Sequence, residues 1–512
     1  MFFAKLSSKI SYKLLLSSAA LSFCACNNFG VQTSEKTLPR VTFLLQNETS
    51  NPVSGERAKE VLDAIKNYTQ TDVKFTFIYN DDYEDTINSV LDNPSELPMI
   101  MSIKTLNSNV ADAVKNGAFW DLNYFIWDEE KYPNLSKANK KICKSLTIDS
   151  HLIGIYKARD IGRYGFAYRT DWAEKLGLDE PKTIEDVYNM LYAFTYNDPD
   201  GDGKKNTYGL ALSKYTGPFD IIQTWFGCGN GWTEMSSSLV PVHQTQEYLT
   251  ALDWLRKIYA EGLIAPDWTA KSTSTWKNQV IDGQAGVFVD VMDSSRRIWE
   301  QFQTKNIRSV VDPKKYAEMT LVGPINNRTQ ATDGYNGFIA ITHAARTKEQ
   351  VENCLHFLDK MNDDEMLILA SYGLKDYNYR IDNDGYLIDI DTANVEISRV
   401  YNGLNQVLTY IPHMLKDARP VVRMTEKAQV EQKVIALNEK VAVLNPASAY
   451  LASSKTYKKN KLSLDSIIEE ARTQYICGEI NRDLLSEAHN KWYEMGGKDI
   501  ITEVNTLYKS HK

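Results

Sequence analysis

The alternation of strand and helix patterns near the N-terminus constrains the fold most strongly. Residues 41–45 form an apolar strand pattern, and residues 58–68 repeat apolar side chains at helical spacing. Residues 73–79 then alternate as a half-buried strand, residues 83–91 follow as a helix, and 97–103 is a short apolar run. Strand–helix–strand alternation is typical of βαβ units, so we predict an α/β lobe here.

The rest of the chain is richer in helix. Thr183 and Asp186 have the spacing of a capping box, and residues 248–259 form a second strong helix that Gly262 ends. The later patterns are strands at 286–291 and 337–342, a helix at 344–361 and two short strands within 379–390. A chain of 512 residues exceeds the size at which one hydrophobic core stops growing, so two or more folding units are expected.

The charge balance argues against nucleic acid as a partner. The chain has 58 Lys+Arg and 66 Asp+Glu, which gives a net charge of −8. A net anionic surface repels polyphosphate unless a basic stripe overrides it. The densest basic run, residues 455–461, is short, and we interpret it as a solvated loop.

The first 26 residues predict export. A lysine-containing segment at 5–13 precedes the apolar residues 14–25, which are too few to span a bilayer as a helix. Ala25 before Cys26 looks like a bacterial lipobox, so we predict a signal peptide over 1–26 and lipidation of Cys26. Residues 27–39 would then be a flexible tether, with plain secretion as the alternative.

The chain shows no recognisable catalytic motif. It contains no HExxH, no G-x-S-x-G elbow and no Walker A loop. The cysteines after residue 26 form no CxxC pair, and the sequence does not determine their pairing; they are Cys143, Cys228, Cys354 and Cys477. Paired glycosidase carboxylates cannot be recognised among 66 acids, so a carbohydrate-active hydrolase stays open, as does a surface adhesin.

Three consecutive blocks carry a family resemblance. They are GFAYRTDWAEKLGL at 165–178, PKTIEDVY at 181–188 and DPDGDGKKNTYGL at 198–210. In this order they resemble the extracellular solute-binding lipoproteins of carbohydrate ABC importers, of the calcium-containing, oligosaccharide-binding type. Further matching blocks extend the resemblance over nearly the whole mature chain, at 255–267, 283–287 and 495–504.

The resemblance implies an α/β fold of two lobes that close like a clamp, as in periplasmic binding proteins. Each lobe is discontinuous: residues 40–160 plus 330–380 would form the N-terminal lobe, and 161–329 plus 381–512 the C-terminal lobe. A ligand binds in the cleft between the lobes, and closure buries it.

The resemblance also implies a binding protein rather than an enzyme. Such a protein captures an oligosaccharide outside the cytoplasm and delivers it to the permease subunits of an ABC importer. We therefore expect a monomer that is held at the outer face of the cell membrane by its lipid anchor.

The segment 198–206 has the pattern of a calcium loop. Acids recur at every second position and Gly203 permits a sharp turn, although Gly209 stands where an EF-hand has glutamate. A solvated turn is the alternative. We predict a structural Ca²⁺ whose ligands are Asp198, Asp200, Asp202, the carbonyl of Lys204 and Asn206.

Sugar sites combine aromatic faces with planar polar side chains. Candidates come from segments that the implied fold brings to the cleft, although packing explains each residue equally well. Arg159 lies at the same predicted chain crossing between the lobes as Arg163 and Tyr164 and is a further candidate. The predicted ligand-binding residues are Arg163, Tyr164, Trp225, Trp232, Asp290, Asp293, Tyr335 and Asn336.

Overall fold

The computed structural model describes residues 37–47, 53, 57–79, 82–148, 150–390, 403–451 and 453–510. The predicted signal peptide and lipidated Cys26, as well as most of the tether, lie outside these residues. The α-helices are α1 Ala58–Thr69, α2 Tyr83–Asp92, α3 Ser108–Lys115, α4 Lys140–Ser145, α5 Thr170–Leu176, α6 Ile184–Tyr196, α7 Gly217–Trp225, α8 Gln246–Ala260, α9 Asn278–Ile281, α10 Met292–Thr304, α11 Lys348–Lys360, α12 Asp364–Tyr372, α13 Glu426–Glu439, α14 Ser448–Leu451, α15 Lys455–Ile476, α16 Arg482–Trp492 and α17 Lys498–Ser510.

Two larger sheets and several strand pairs organise the β structure. The strands are β1 Arg40–Asn47, β2 Asp72–Tyr79, β3 Ile100–Ile103, β4 Thr147–Ile148, β5 His151–Leu152, β6 Ile155–Ala158, β7 Tyr164–Arg169, β8 Tyr208–Leu210, β9 Trp232–Met235, β10 Ser238–Pro241, β11 Ala285–Val291, β12 Met319–Val322, β13 Thr329–Gln330, β14 Tyr335–Ile341, β15 Tyr379–Ile381, β16 Leu387–Asp389 and β17 Ala442–Val443.

The first sheet has the strand order β2-β1-β3-β14-β6. Strands β1, β2 and β3 are parallel, as the strand–helix alternation predicts, whereas β14 and β6 run antiparallel to their neighbours. Phe43, Phe338 and Phe357 pack in one buried core around this sheet. Because β14 comes from a distant part of the sequence, this lobe is discontinuous.

The second sheet has the order β12-β7-β11-β8. Its two central strands are β7 and β11, and β7 pairs antiparallel with β11 and with β12. Trp172 and Phe194 pack edge to face beneath it, with ring centroids 5.5 Å apart. Helix α6 begins with the predicted capping box, in which Thr183 and Asp186 exchange side-chain and backbone hydrogen bonds. The two sheets and their helices are the two lobes of the fold.

Two local predictions were wrong. The helix predicted from residue 344 begins at Lys348, because Thr347 is extended and caps the helix by accepting a hydrogen bond from the Gln350 amide. The basic run at 455–461 is the start of α15 and not a loop, since Ser454 caps the helix through the Tyr457 amide.

Residues after 380, where the sequence predicted the N-terminal lobe to end, still pack in the core of the first lobe. The side chains of Leu404, Ile411 and Ala418 belong to the first core, whereas Val434 and Ile435 pack beside α10 in the second lobe. We therefore propose that residues up to about 418 belong to the N-terminal lobe, with the last crossing between Ala418 and Val434. The other lobe boundaries stay predictions.

The described cysteines are free thiols. Cys143, Cys228 and Cys354 are buried, Cys477 is partly exposed, and none of them forms a disulfide. Among the helices that the structure describes, none has the length and apolar character to cross a bilayer.

Candidate interlobe binding site

A polar cavity of about 420 Å³ lies between the two lobes. Its first wall comes from β6, β14 and residues 405–416, and its second wall from the start of β7, α10 and α13. We call this cavity the interlobe cleft. Of the predicted ligand-binding residues, it brings together Arg163, Asp293 and Asn336, and Arg159 lies beside them.

Arg163 and Asp293 form an ion pair on the second wall. The guanidinium of Arg163 lies 2.6 Å from the Asp293 carboxylate, and Arg297 donates to the other oxygen of the same carboxylate. Asp293 lies in the first turn of α10, where the N-terminal end of the helix also favours a negative charge. With two guanidiniums and one carboxylate, this cluster is held by its own ion pairs and keeps a net positive charge.

Tyr164 and Asp290 lie on the neighbouring strands β7 and β11, where Tyr164 is paired with Val291 and Asp290 with Gly165. Their side chains interact electrostatically, and Tyr215, which sequence analysis did not select, approaches both. Burial, with a contribution from the Asp293 charge, raises the pKa of the Asp290 carboxyl to about 6. Burial also raises the pKa of Tyr164 above its ordinary value. Neither Tyr164 nor Asp290 is among the residues that line the interlobe cleft, so ligand contact by either side chain stays a prediction.

Tyr335 and Asn336 are the first residues of β14, but Tyr335 is not among the residues that line the interlobe cleft. Asn336 is exposed and lines the interlobe cleft, whereas burial raises the pKa of the Tyr335 hydroxyl to about 12. A bulge between β14 and β6 shifts the register between Tyr335 and Phe338. The irregular backbone at this point allows an amide side chain to lie at the cleft rather than in the sheet.

The two predicted tryptophans do not line the interlobe cleft. Trp225 is only 2% exposed and packs edge-on to Phe166, with ring centroids 6.0 Å apart. Trp232 is buried beside Leu239 and Trp492 in a separate cluster. Sequence spacing could not distinguish these core aromatics from ligand platforms, and ligand contact by either ring stays a prediction.

Lys157 and Gln406 also line the interlobe cleft, and neither was predicted from the sequence. The Lys157 ammonium donates to the Gln406 side-chain oxygen at 2.7 Å across 249 residues of sequence. Burial, and then repulsion from Arg159, lowers the pKa of Lys157 to about 8. The available signal was a lysine within the otherwise apolar strand β6, where an isolated charge needs an explanation.

The acidic loop at 198–206 forms a compact cluster apart from the interlobe cleft. The side chains of Asp198, Asp200 and Asp202 offer oxygen atoms that all lie within 4.8 Å of one another. Gly203, with φ of +75°, directs its amide to the Asp198 carboxylate at 3.3 Å. Burial, together with the charges of Asp202 and Asp198, raises the pKa of Asp200. The donor set is therefore one of hard oxygens, which suits Ca²⁺.

The remaining predicted ligands lie at the rim of this loop. Lys204 and Asn206 both direct side-chain nitrogens at one Asp202 oxygen, each at 3.1 Å. Asp282 and Gln284 line the hollow next to the loop. They are further oxygen donors near a loop that lacks the twelfth-position glutamate. Ligation by the Lys204 carbonyl stays a prediction.

The family model of bacterial extracellular solute-binding proteins matches residues 49–358. The chain belongs to this family. Its relatives include lipoprotein LipO of Bacillus subtilis, which is 34% identical over 96% of this chain and 97% of LipO. The polygalacturonan/rhamnogalacturonan-binding protein YtcQ of the same species is 28% identical, over 88% of each chain.

Solved structures agree on the two-lobe fold. An "HMO binding ABC-transporter associated Solute Binding Protein" from Bifidobacterium longum infantis superposes with a TM-score of 0.68 at 15% identity, over 93% of this chain and 99% of that one. An EF-hand mutant of the S. pneumoniae ABC-transporter substrate binding protein FusA, in complex with fructo-nystose, superposes with a TM-score of 0.62 at 15% identity, over 92% and 99%. The family and these neighbours are binding proteins.

Proposed function

We propose that this chain is the substrate-binding component of an ABC importer and captures an oligosaccharide between its lobes. The observation that carries the proposal is the interlobe cleft, where Arg163, Asp293 and Asn336 come together from both lobes. Planar polar side chains of this kind match the ring hydroxyls of sugars. A relative that binds polygalacturonan and a structural neighbour with a bound fructo-oligosaccharide support the same ligand class.

In the proposed mechanism the protein binds the sugar and releases it without breaking or forming any covalent bond. Ligand bound by both walls stabilises the closed arrangement only to the extent that it binds the closed state better than the open one. The closed, loaded protein then docks on the permease and releases the sugar unchanged. This role needs no catalytic group, which agrees with the binding proteins to which the chain is related.

Thermal unfolding with a panel of oligosaccharides tests this function. The chain from Pro39 onward, which forms a compact unit, is melted with each sugar, and the sugar is then analysed by chromatography. A ligand at 100 times its Kd stabilises the folded state by about 2.7 kcal/mol, so a raised Tm with intact sugar is expected. Cleaved sugar would identify a hydrolase instead, and no response to any sugar would contradict a sugar receptor.

We also propose that the acidic loop binds a structural Ca²⁺ through Asp198, Asp200, Asp202, the Lys204 carbonyl and Asn206. The convergence of three carboxylates and the EF-hand of a structural neighbour support this site. Bound Ca²⁺ would neutralise the charges of the three carboxylates and so stabilise the loop.

Removal of calcium tests this site. EGTA should lower the Tm of the protein, and added Ca²⁺ should restore it. Asp200→Asn should weaken this response, whereas the exposed Glu129→Gln should retain it; an identical response in both variants would contradict the site.

The proposed location is the outer face of the cell membrane, with Cys26 lipidated and the body held as a monomer on its tether. A family described as extracellular and a relative named as a lipoprotein support this location. Cys26→Ser should move the full-length protein from the membrane fraction to the soluble exported fraction. Membrane retention of this variant would contradict the anchor.

A further inference from the structure

Two cations on the first wall of the interlobe cleft have no anionic partner among the residues that the structure describes. Lys157 is 9% exposed, and its ammonium donates to the neutral Gln406 side chain. Arg159, two residues further along the same edge, is half-buried. Within the described part of the chain, neither side chain has a carboxylate within ion-pair distance.

The acids that line the interlobe cleft are already paired. Asp160 lies 3.6 Å from Lys416, Asp293 pairs with Arg163 and Arg297, and Glu431 pairs with Arg296. Asp293 therefore attracts Arg159 only from beyond ion-pair distance. Asp290 is not among the residues that line the cavity around Lys157 and Arg159. The unbalanced charge at the first wall is consequently positive.

A small hollow of about 150 Å³ continues from this position. It is lined by Lys104 together with Lys157, Asn336 and Gln406. Lys104 is a third cation beside Lys157 and Arg159, and its side chain is exposed. The amide side chains of Asn336 and Gln406 line both cavities. The arrangement combines positive charge with hydrogen-bond donors and acceptors.

Leaving a cation buried without an anion is costly, because desolvation disfavours the charged form. This desolvation penalty applies to Lys157 and Arg159, since burial lowers the pKa of both groups. Both nevertheless stay largely protonated at pH 7, because the pKa of Lys157 is still about 8 and arginine does not deprotonate in proteins. An anion supplied by the ligand would relieve this penalty and form charge-assisted hydrogen bonds.

Building on the proposed function, we propose that the captured oligosaccharide is anionic and that Lys157 and Arg159 bind its charged group. The shared chemistry is an oxyanion carried on a sugar ring, either the carboxylate of a uronic acid or a sulfate ester. Asn336 and Gln406 would hydrogen-bond the hydroxyls next to that group.

The test compares acidic sugars with neutral counterparts. Calorimetric titrations of the chain from Pro39 onward use trigalacturonate, its fully methyl-esterified form, mannuronate and glucuronate trimers, a sulfated galactan trimer and neutral trimers. We expect an acidic trimer to bind and its neutral counterpart to bind at least tenfold more weakly. Binding of a uronate trimer would identify the charged group as a carboxylate, and binding of the sulfated trimer would identify it as a sulfate ester.

Two variants and one control connect the affinity to these cations. Lys157→Met and Arg159→Met should each weaken acidic-sugar binding roughly tenfold to hundredfold, as expected for a hydrogen bond to a charged group. Lys157→Met should not lower the Tm without ligand, because it removes an unpaired buried charge. Lys141→Met, on the exposed surface of α4, should leave the affinity unchanged.

Distinct outcomes overturn the two proposals. If neutral trimers bind as tightly as acidic ones, or if Lys157→Met and Arg159→Met retain acidic-sugar affinity, the anionic ligand is rejected while the sugar receptor stands. If no sugar of either kind binds, the proposed function itself fails, and this inference fails with it.

Discussion

Arg169 and Asp171 illustrate how single residues hold the second lobe together. Both side chains are 3% exposed, and they share two hydrogen bonds of 2.8 Å. The guanidinium also lies 5.0 Å from the ring centres of Trp172 and Phe302, and Asp171 accepts the amide of Val310. The pair therefore links β7, α5 and the segment before β12.

Asp171→Asn should destabilise the protein strongly, because it leaves the Arg169 charge buried without its anion. We expect a loss of about 3–5 kcal/mol in the free energy of unfolding, measured by urea denaturation. The matched control is Glu60→Gln in the exposed pair with Arg57, which should cost less than about 1 kcal/mol. Similar losses in both variants would show that burial does not determine the effect.

His243 and His489 give the second lobe a defined sensitivity to acid. Their rings lie 5.3 Å apart, and Trp492 packs edge-on to His243. Burial lowers the pKa of His243 to about 3, with a contribution from His489, and burial lowers the pKa of His489 to about 4. Both pKa values lie below the ordinary 6.5, so below that pH the unfolded chain takes up protons that the folded chain does not.

The stability from these histidines is therefore complete above pH 6.5 and is lost as the pH falls toward 4 and 3. At pH 5 the loss should be on the order of 2 kcal/mol per histidine, measured by urea unfolding across this range. The His243→Gln, His489→Gln double variant should flatten the profile, whereas His151→Gln at an exposed position should not. An unchanged profile in the double variant would contradict this assignment.

At the scale of elements, the bulge in β14 connects the sheet to the interlobe cleft. Gly337 has φ of +78°, and a Cβ there would lie 2.6 Å from the Ile103 carbonyl oxygen. A side chain at this position would therefore separate β14 from β3 as well as strain the backbone. The adjacent Asn336 depends on this close approach for its position at the cleft.

Gly337→Ala should lower the free energy of unfolding by more than about 1–3 kcal/mol, because strain and a backbone clash add. It should also weaken sugar binding through the displaced Asn336. Gly283→Ala is the control, since Gly283 has φ of +72° and open space around its Cβ position. That variant should show only the strain and retain affinity. Equal losses in both variants would show that the clash has no effect.

At the scale of the whole molecule, the two lobes predict a conformational change on binding. Ligand contacts on both walls favour the closed arrangement, so the radius of gyration should fall when a binding sugar is added. Small-angle X-ray scattering of the chain from Pro39 onward measures this change. A sugar that does not bind in calorimetry should leave the curve unaltered, and a saturating ligand that gives no contraction would contradict the clamp.

The local elements followed from the sequence because short-range physics determines them. The capping box of α6 depends on residues three apart, and β2 is recognisable from the alternation of its own side chains. The acidic loop is equally local, since Asp198, Asp200 and Asp202 converge within five residues. Family resemblance then supplied the two-lobe architecture, which periodicity alone does not determine.

Tertiary structure decided which side chains reach the interlobe cleft. Arg163 and Asp293 were predicted and do meet there, but Trp225 is buried in a core. Lys157 meets its partner Gln406, which lies 249 positions further along the chain. An aromatic or a lysine has the same local pattern whether it packs, pairs or faces a ligand. Its role depends on which distant segment folds against it, and that information is in the long-range contacts rather than in any window of sequence.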